Sequence, residues 1–272
     1  MAGMSTASRR TFLGLAAVTA FPVLTARPAL AADKYPSNTA LYADPELAEG
    51  IDYARRYRRP ERFDDDLSKR FPFPDTAILA PHGGAIEGGT SELCHAIGGY
   101  HPGTLEPSPA DGPRYDLWMF EGIRPADNSE LHVTSTHCDD PVARSLAGGA
   151  WRAVGVHGCS PTPLGLPAGA RAVLVGGRDD LLRQALLNRL GAAGFQVVDG
   201  VSHPTLSGRD PANIANRTLS GGGGQLELTT GLRDAMFGIN TRPERRHTTT
   251  PVFWDFVSAV RVAIADVALT SS

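Results

Sequence analysis

At 272 residues with a formal net charge of −3, the chain can bury one large core and carries no basic footprint for nucleic acid; its arginine-rich stretches at 55–59 and 242–246 read as solvated faces. Three cysteines exclude a disulfide framework: Cys138 and Cys159 either pair across two strand ends or are buried free thiols, and at least one thiol stays unpaired.

In chain order, Arg9-Arg10 followed by a moderately apolar stretch and small residues at Ala29 and Ala31 predicts a twin-arginine export signal over residues 1–31, cleaved after Ala31. The mature part, residues 32–272, is expected to be a single α/β domain, secreted or extracytoplasmic, with no stable membrane association after cleavage, since no second stretch is apolar enough to span a bilayer. Residues 45–56 read as a helix interrupted at Gly50, followed by a polar connection containing Asp64, Asp65 and Asp66. Short apolar runs then predict strands at 76–80, 115–120, 131–135, 152–156, 172–175, 195–198 and 225–228. Between the fifth and sixth, Asp179 and Asp180 open a helix with an apolar face of Leu181, Leu182, Ala185, Leu186 and Leu190, a strand–helix–strand crossover. A last helix carries Phe253, Phe256, Val257, Val260, Ile264 and Val267 at helical spacing and should pack that stripe on the sheet. The fold class expected is α/β, an open, mixed, mostly parallel sheet flanked by helices.

Several strands end in residues capable of chemistry, and in open α/β sheets sites lie beyond the carboxyl ends of strands. His82-Gly83-Gly84-Ala85-Ile86-Glu87 comes directly after the first of them. Two glycines let such a loop fold so that imidazole and carboxylate converge on one cation, and His plus Glu with a second His leaves a zinc position open for water. Two histidines compete for that second place. His157 ends the more continuously apolar strand and is followed by Gly158; His137, beside Asp139 and Asp140, would otherwise orient substrate or support the ligands. Glu227 lies on a strand whose neighbours Leu226 and Leu228 face the other way, so it is the candidate base for a metal-bound water. Asn213, Asn216, Arg217 and Arg233 offer amide and guanidinium donors suited to a substrate carboxylate.

Six ordered blocks between Thr76 and Arg233 resemble the poly-γ-glutamate hydrolase family: His82 to Glu92, Thr134 to Pro141, Val156-His157-Gly158, Val175-Gly176-Gly177, Asn213 to Arg217 and Gly224 to Leu228. The resemblance implies a zinc-carboxypeptidase-like fold and one zinc ion held by His82, Glu87 and His157, with Glu227 as catalytic carboxylate. The substrate it implies is an anionic glutamate-rich polymer or peptide cut at γ-glutamyl amide bonds. The carboxypeptidase His-x-x-Glu spacing is stretched here to His82 and Glu87, and an export signal is not part of the phage enzymes. Rival readings are a cell-wall peptide amidase or carboxypeptidase on the same zinc site, a thiol hydrolase built on Cys159 beside His157, and a non-catalytic protein that binds anionic polymer.

Overall fold

Aliphatic runs bounded by glycines and polar loops become the strands of one sheet. In chain order the elements are α1 (Asn38–Tyr42), β1 (Tyr53–Arg58), β2 (Thr76–Gly84), α2 (Thr90–Ile97), β3 (Asp116–Gly122), α3 (Pro141–Gly149), β4 (Arg152–Cys159), β5 (Ala172–Gly177), α4 (Asp180–Ala192), β6 (Gln196–Asp199), β7 (Gly224–Thr229), α5 (Thr230–Ala235) and α6 (Pro251–Asp266). These belong to a computed structural model that describes Met1, residues 33–60 and residues 76–268; the expected export signal and the acidic connection at 64–66 lie outside the described residues.

The strand order is β1-β3-β2-β4-β7-β5-β6, with antiparallel pairing only for β1 with β3 and β7 with β5. The sheet is therefore mixed and mostly parallel. Strict alternation along the strands divides the core into two. Ile78, Ala80, Met119, Val154, Val156, Val173, Leu226 and Leu228 face α2, α4 and α6, where Leu93, Leu186 and Phe253 are fully buried. Ala77, Leu79, Trp118, Phe120 and Ala153 face the opposite side, with α1, α3 and Ile214. Burying a side chain such as Phe253 contributes about 1.5–3 kcal/mol.

The helix starts obey local chemistry. Asp179 accepts from the Leu182 amide at the head of α4, and Asp140 accepts from Val142 and Ala143 at the head of α3. Each satisfies donors a helix start leaves open. Asp140 thus serves a helix cap, and Asp139 accepts from the Thr39 amide.

Two expected elements are replaced. Residues 45–56 are no helix: the chain turns at Gly50, whose φ is +89°, and Tyr53–Arg58 extends to pair with β3. Tyr53 is buried and stacked on Phe120, while the arginines lie on the outermost of the described strands, so burial of an aromatic outweighs local helix propensity. The run at 131–135 is no strand either. Asn128–Leu131 and Ser135–His137 form single 3₁₀ turns. The intervening backbone is committed elsewhere, with the Thr134 amide donating to Asp33 and the Val133 carbonyl accepting from His82, so it has no ladder to join.

Candidate metal centre

The site is set by register. His157 of β4 stands directly opposite Glu227 of β7, and Gly155 opposite Gln225, so all four residues project from the sheet face that carries Ala153. His82 would alternate onto the other face, with Ile78 and Ala80. A bulge prevents it: Ala80 pairs with Met119 and Gly83 with Glu121, leaving one extra residue on β2 between them. That insertion turns His82 to the side of His157. Gly84 then reverses the chain at φ +67° in a place where a side chain would strike the Gly122 carbonyl, and the Glu87 amide donates to the His82 carbonyl at 2.9 Å, closing the loop on itself.

The result brings together three of the residues expected from the sequence. His82 Nδ1 is 3.0 Å from Glu87 Oε1 and 3.1 Å from His157 Nδ1, and His157 Nδ1 is 3.8 Å from Glu87 Oε2. Groups ligating one zinc ion at about 2.1 Å are expected to stand about 3.4 Å apart in a tetrahedral set, so these separations suit a shared cation. The tautomers suit it too. His82 gives its Nε2 proton to the Val133 carbonyl at 2.9 Å, which leaves its Nδ1 lone pair toward the carboxylate, and His157 Nε2 meets Ser135 Oγ at 3.3 Å, a hydroxyl able to accept its proton and leave Nδ1 free in the same way. Three electron-pair donors pointed at one another repel unless a proton or a cation sits among them.

The titration of the group reflects that crowding. Burial raises the Glu87 carboxyl, but His82, His157 and the Gly158 amide at 2.7 Å outweigh it and hold it at about 2. Burial and the charge of His82 push His157 down to about 3. Burial acts downward on His82 as well, but the attraction of Glu87 outweighs it and lifts this imidazole above the ordinary histidine value. Glu227 is buried, and burial together with the negative charge of Glu87 raises its carboxyl well above the usual range. It is held in a relay: Asn213 Nδ2 donates to Gln225 Oε1 at 2.8 Å, and Gln225 Nε2 donates to Glu227 Oε1 at 2.8 Å. A protonatable carboxyl held beside the cation site can accept a proton and return it.

The remaining expected residues are distributed otherwise. Arg233 is at the site: its guanidinium lies against Gly158, where any side chain would collide with it, and donates to the Gly88 carbonyl at 2.8 Å. Asn213 and Asn216 are buried with their amides committed inside the protein. Asn216 donates to the carbonyls of Gly208 and Asp210 and accepts from the Gly223 amide. Both side chains are thus engaged around the start of the Glu227 strand. Arg217 is exposed and donates to the Ala212 carbonyl. His137 is also exposed, outside the cluster, with Nδ1 3.8 Å from Asp33 Oδ2.

The histidine that sequence reading passes over is His132. It presents a ring nitrogen in a group with His82 and Glu87 whose ligand atoms all lie within 4.8 Å of one another, and its ring stacks on His82 at 3.8 Å between centroids. Its only signal in the sequence is proximity to His137, which attracts attention as the end of an apparent strand. All three cysteines are free, so Cys138 and Cys159 do not pair. Burial pushes the Cys159 thiol to about 12, with Glu227 adding to the shift, which argues against a ready thiolate nucleophile.

Fold and cluster together define an α/β protein with a histidine–carboxylate group of metal-binding type at the carboxyl ends of its central strands. The chain belongs to the poly-γ-glutamate hydrolase family, whose model matches residues 66–259. It is 34% identical over 184 residues to the UPF0714 protein YndL of Bacillus subtilis (strain 168), covering 67% of this chain and 64% of that one. It is also 34% identical over 183 residues to the SPbeta prophage-derived UPF0714 protein YoqZ of the same strain, covering 67% and 59%. The chain thus spans less than two thirds of the length of these curated relatives. Among solved structures it resembles a bacteriophage poly-γ-glutamate hydrolase, with 30% identity, a TM-score of 0.69 and coverage of 86% of this chain and 98% of the other. Zinc-free YndL superposes with 29% identity, a TM-score of 0.70 and coverage of 88% and 100%.

Proposed function

We propose that this protein is an exported, zinc-dependent hydrolase that cleaves γ-glutamyl amide bonds in poly-γ-glutamate or a related glutamate-rich peptide. The observation that carries the reading is the convergence of His82 Nδ1, Glu87 and His157 Nδ1 within 3.0–3.8 Å, with Glu227 on the adjoining strand. Those three residues would hold one zinc ion. When bound, zinc would supply polarisation of the scissile carbonyl and acidification of a water molecule. Glu227, fixed by Gln225, takes the proton of the attacking water and delivers it to the leaving nitrogen. Arg233, whose Nη1 donates to the Gly88 carbonyl next to Glu87, is the guanidinium that would meet a substrate carboxylate, exchanging protein partners for it. The family description and the phage enzyme support the polymer, and zinc-free YndL supports the metal. Export rests on the Arg9-Arg10 segment alone.

The test is metal analysis of the purified mature protein, followed by mass analysis of products from poly-γ-glutamate. One zinc per chain and γ-linked glutamate fragments are expected. A zinc-loaded protein that binds the polymer and leaves it intact would overturn hydrolysis in favour of a binding role, and release of cell-wall stem peptides with no action on poly-γ-glutamate would move the same centre to an amidase.

A further inference from the structure

The segment before the family match reaches the metal centre. Asp33 Oδ1 lies 2.7 Å from His132 Nδ1, and Asp33 Oδ2 accepts from the Thr134 amide at 2.6 Å. The arm that carries Asp33 is fastened along its length: Lys34 pairs with Glu130 at 3.1 Å, the Thr39 amide donates to Asp139, and the Tyr42 hydroxyl donates to Asp140 at 2.9 Å. Residues 33–65 lie outside the part of the chain that the family model matches.

With Nδ1 engaged by Asp33, the nitrogen His132 keeps for other chemistry is Nε2, and its ring stacks on His82 at an interplanar angle of 28° within the His82–Glu87–His132 group. We propose that Asp33 is a positioning residue of the metal centre: from the N-terminal arm it fixes the tautomer and rotation of His132, so that this fourth group stays at the cation site and raises its hold on zinc. A carboxylate behind a histidine raises the basicity of the ring and prevents it from turning away; losing such a partner typically weakens metal affinity about 10–100-fold. The inference rests on the proposed zinc site. It adds that the core alone, without the arm, does not hold the metal at full strength.

The experiment is competition for Zn2+ against a chromophoric chelator, with the mature protein and its variants. Asp33→Ala should weaken zinc affinity about tenfold or more. Asp33→Asn, which keeps an oxygen to accept from His132, should recover most of the loss. His132→Ala should lose at least as much, and adding Asp33→Ala to it should cost nothing further, because Asp33 acts through His132. If Asp33→Ala does not fold, Asp33→Ser, too short to reach the ring, takes its place. A variant that holds zinc as tightly as the parent while melting at lower temperature would show that Asp33 only pins the arm, and would overturn the proposal. A parent protein that takes up no zinc would instead sink the metal reading itself.

Discussion

The two faces of one sheet differ in what they ask of the chain. On the side of α2, α4 and α6, strands β2, β3, β4, β5 and β7 contribute apolar residues, and Phe253, Phe256 and Leu186, whose side chains carry no polar atom, close over them. On the other side β2 and β4 begin the same way, with Ala77, Leu79 and Ala153, but toward their carboxyl ends they change to His82 and His157, and β7 alongside carries Gln225 and Glu227, all four buried. The first face holds the fold together by area removed from water. The second buries ionisable groups, which is unfavourable unless they are paired, hydrogen-bonded or neutralised. The division lets the protein carry a destabilising cluster on a scaffold stabilised mainly elsewhere.

Substitutions on the two faces should therefore separate activity from stability. Glu227→Gln is expected to lower turnover of poly-γ-glutamate about 10²–10⁴-fold, the range for a general acid–base group, while the zinc content and the denaturation midpoint stay at or above those of the parent. Phe253→Ala, on the aliphatic face, should do the reverse: a loss of about 3–5 kcal/mol in urea unfolding, with the folded fraction still binding zinc. Equal effects of the two on activity and stability would erase the distinction.

A smaller effect comes from a largely buried titratable group on the helix side. Burial pushes His95 on α2 down to about 4, so between that value and its unfolded value near 6.5 the unfolded chain binds a proton that the folded protein refuses. Stability accordingly falls as pH drops through this window. Between pH 7 and pH 5 the contribution is about 2 kcal/mol, and His95→Gln should flatten that part of the stability–pH curve. An unaltered slope in urea titrations would place the acid sensitivity in the ionisable face instead.

Much of this plan could be read directly. The strand–helix–strand unit through α4, the stripe on α6 and the polar ends of β2, β4 and β7 are periodic, local patterns, and the pairing of His157 with Glu227 results from two strands whose apolar residues alternate in the same phase. Other features were hidden for a common reason. Arg55 and Arg56 look helical until Tyr53 finds Phe120, more than sixty residues away in the chain, and the segment at 131–135 looks extended until Asp33 and His82 take its backbone groups. Asn213 and Asn216 look available to a ligand only until the carbonyls and the glutamine that consume their amides are in place.

From its own order of residues the chain determined the class of fold, the family and three of the groups that meet at the centre, because hydrophobic period and motif spacing are properties of neighbours. The tertiary structure alone decided that a one-residue bulge turns His82 toward His157, that His132 and not His137 stands at its side, and that an aspartate from a distant arm holds it there. Those outcomes depend on which face a side chain reaches and which partner lies within about 3 Å, and neither is written in any local stretch of sequence.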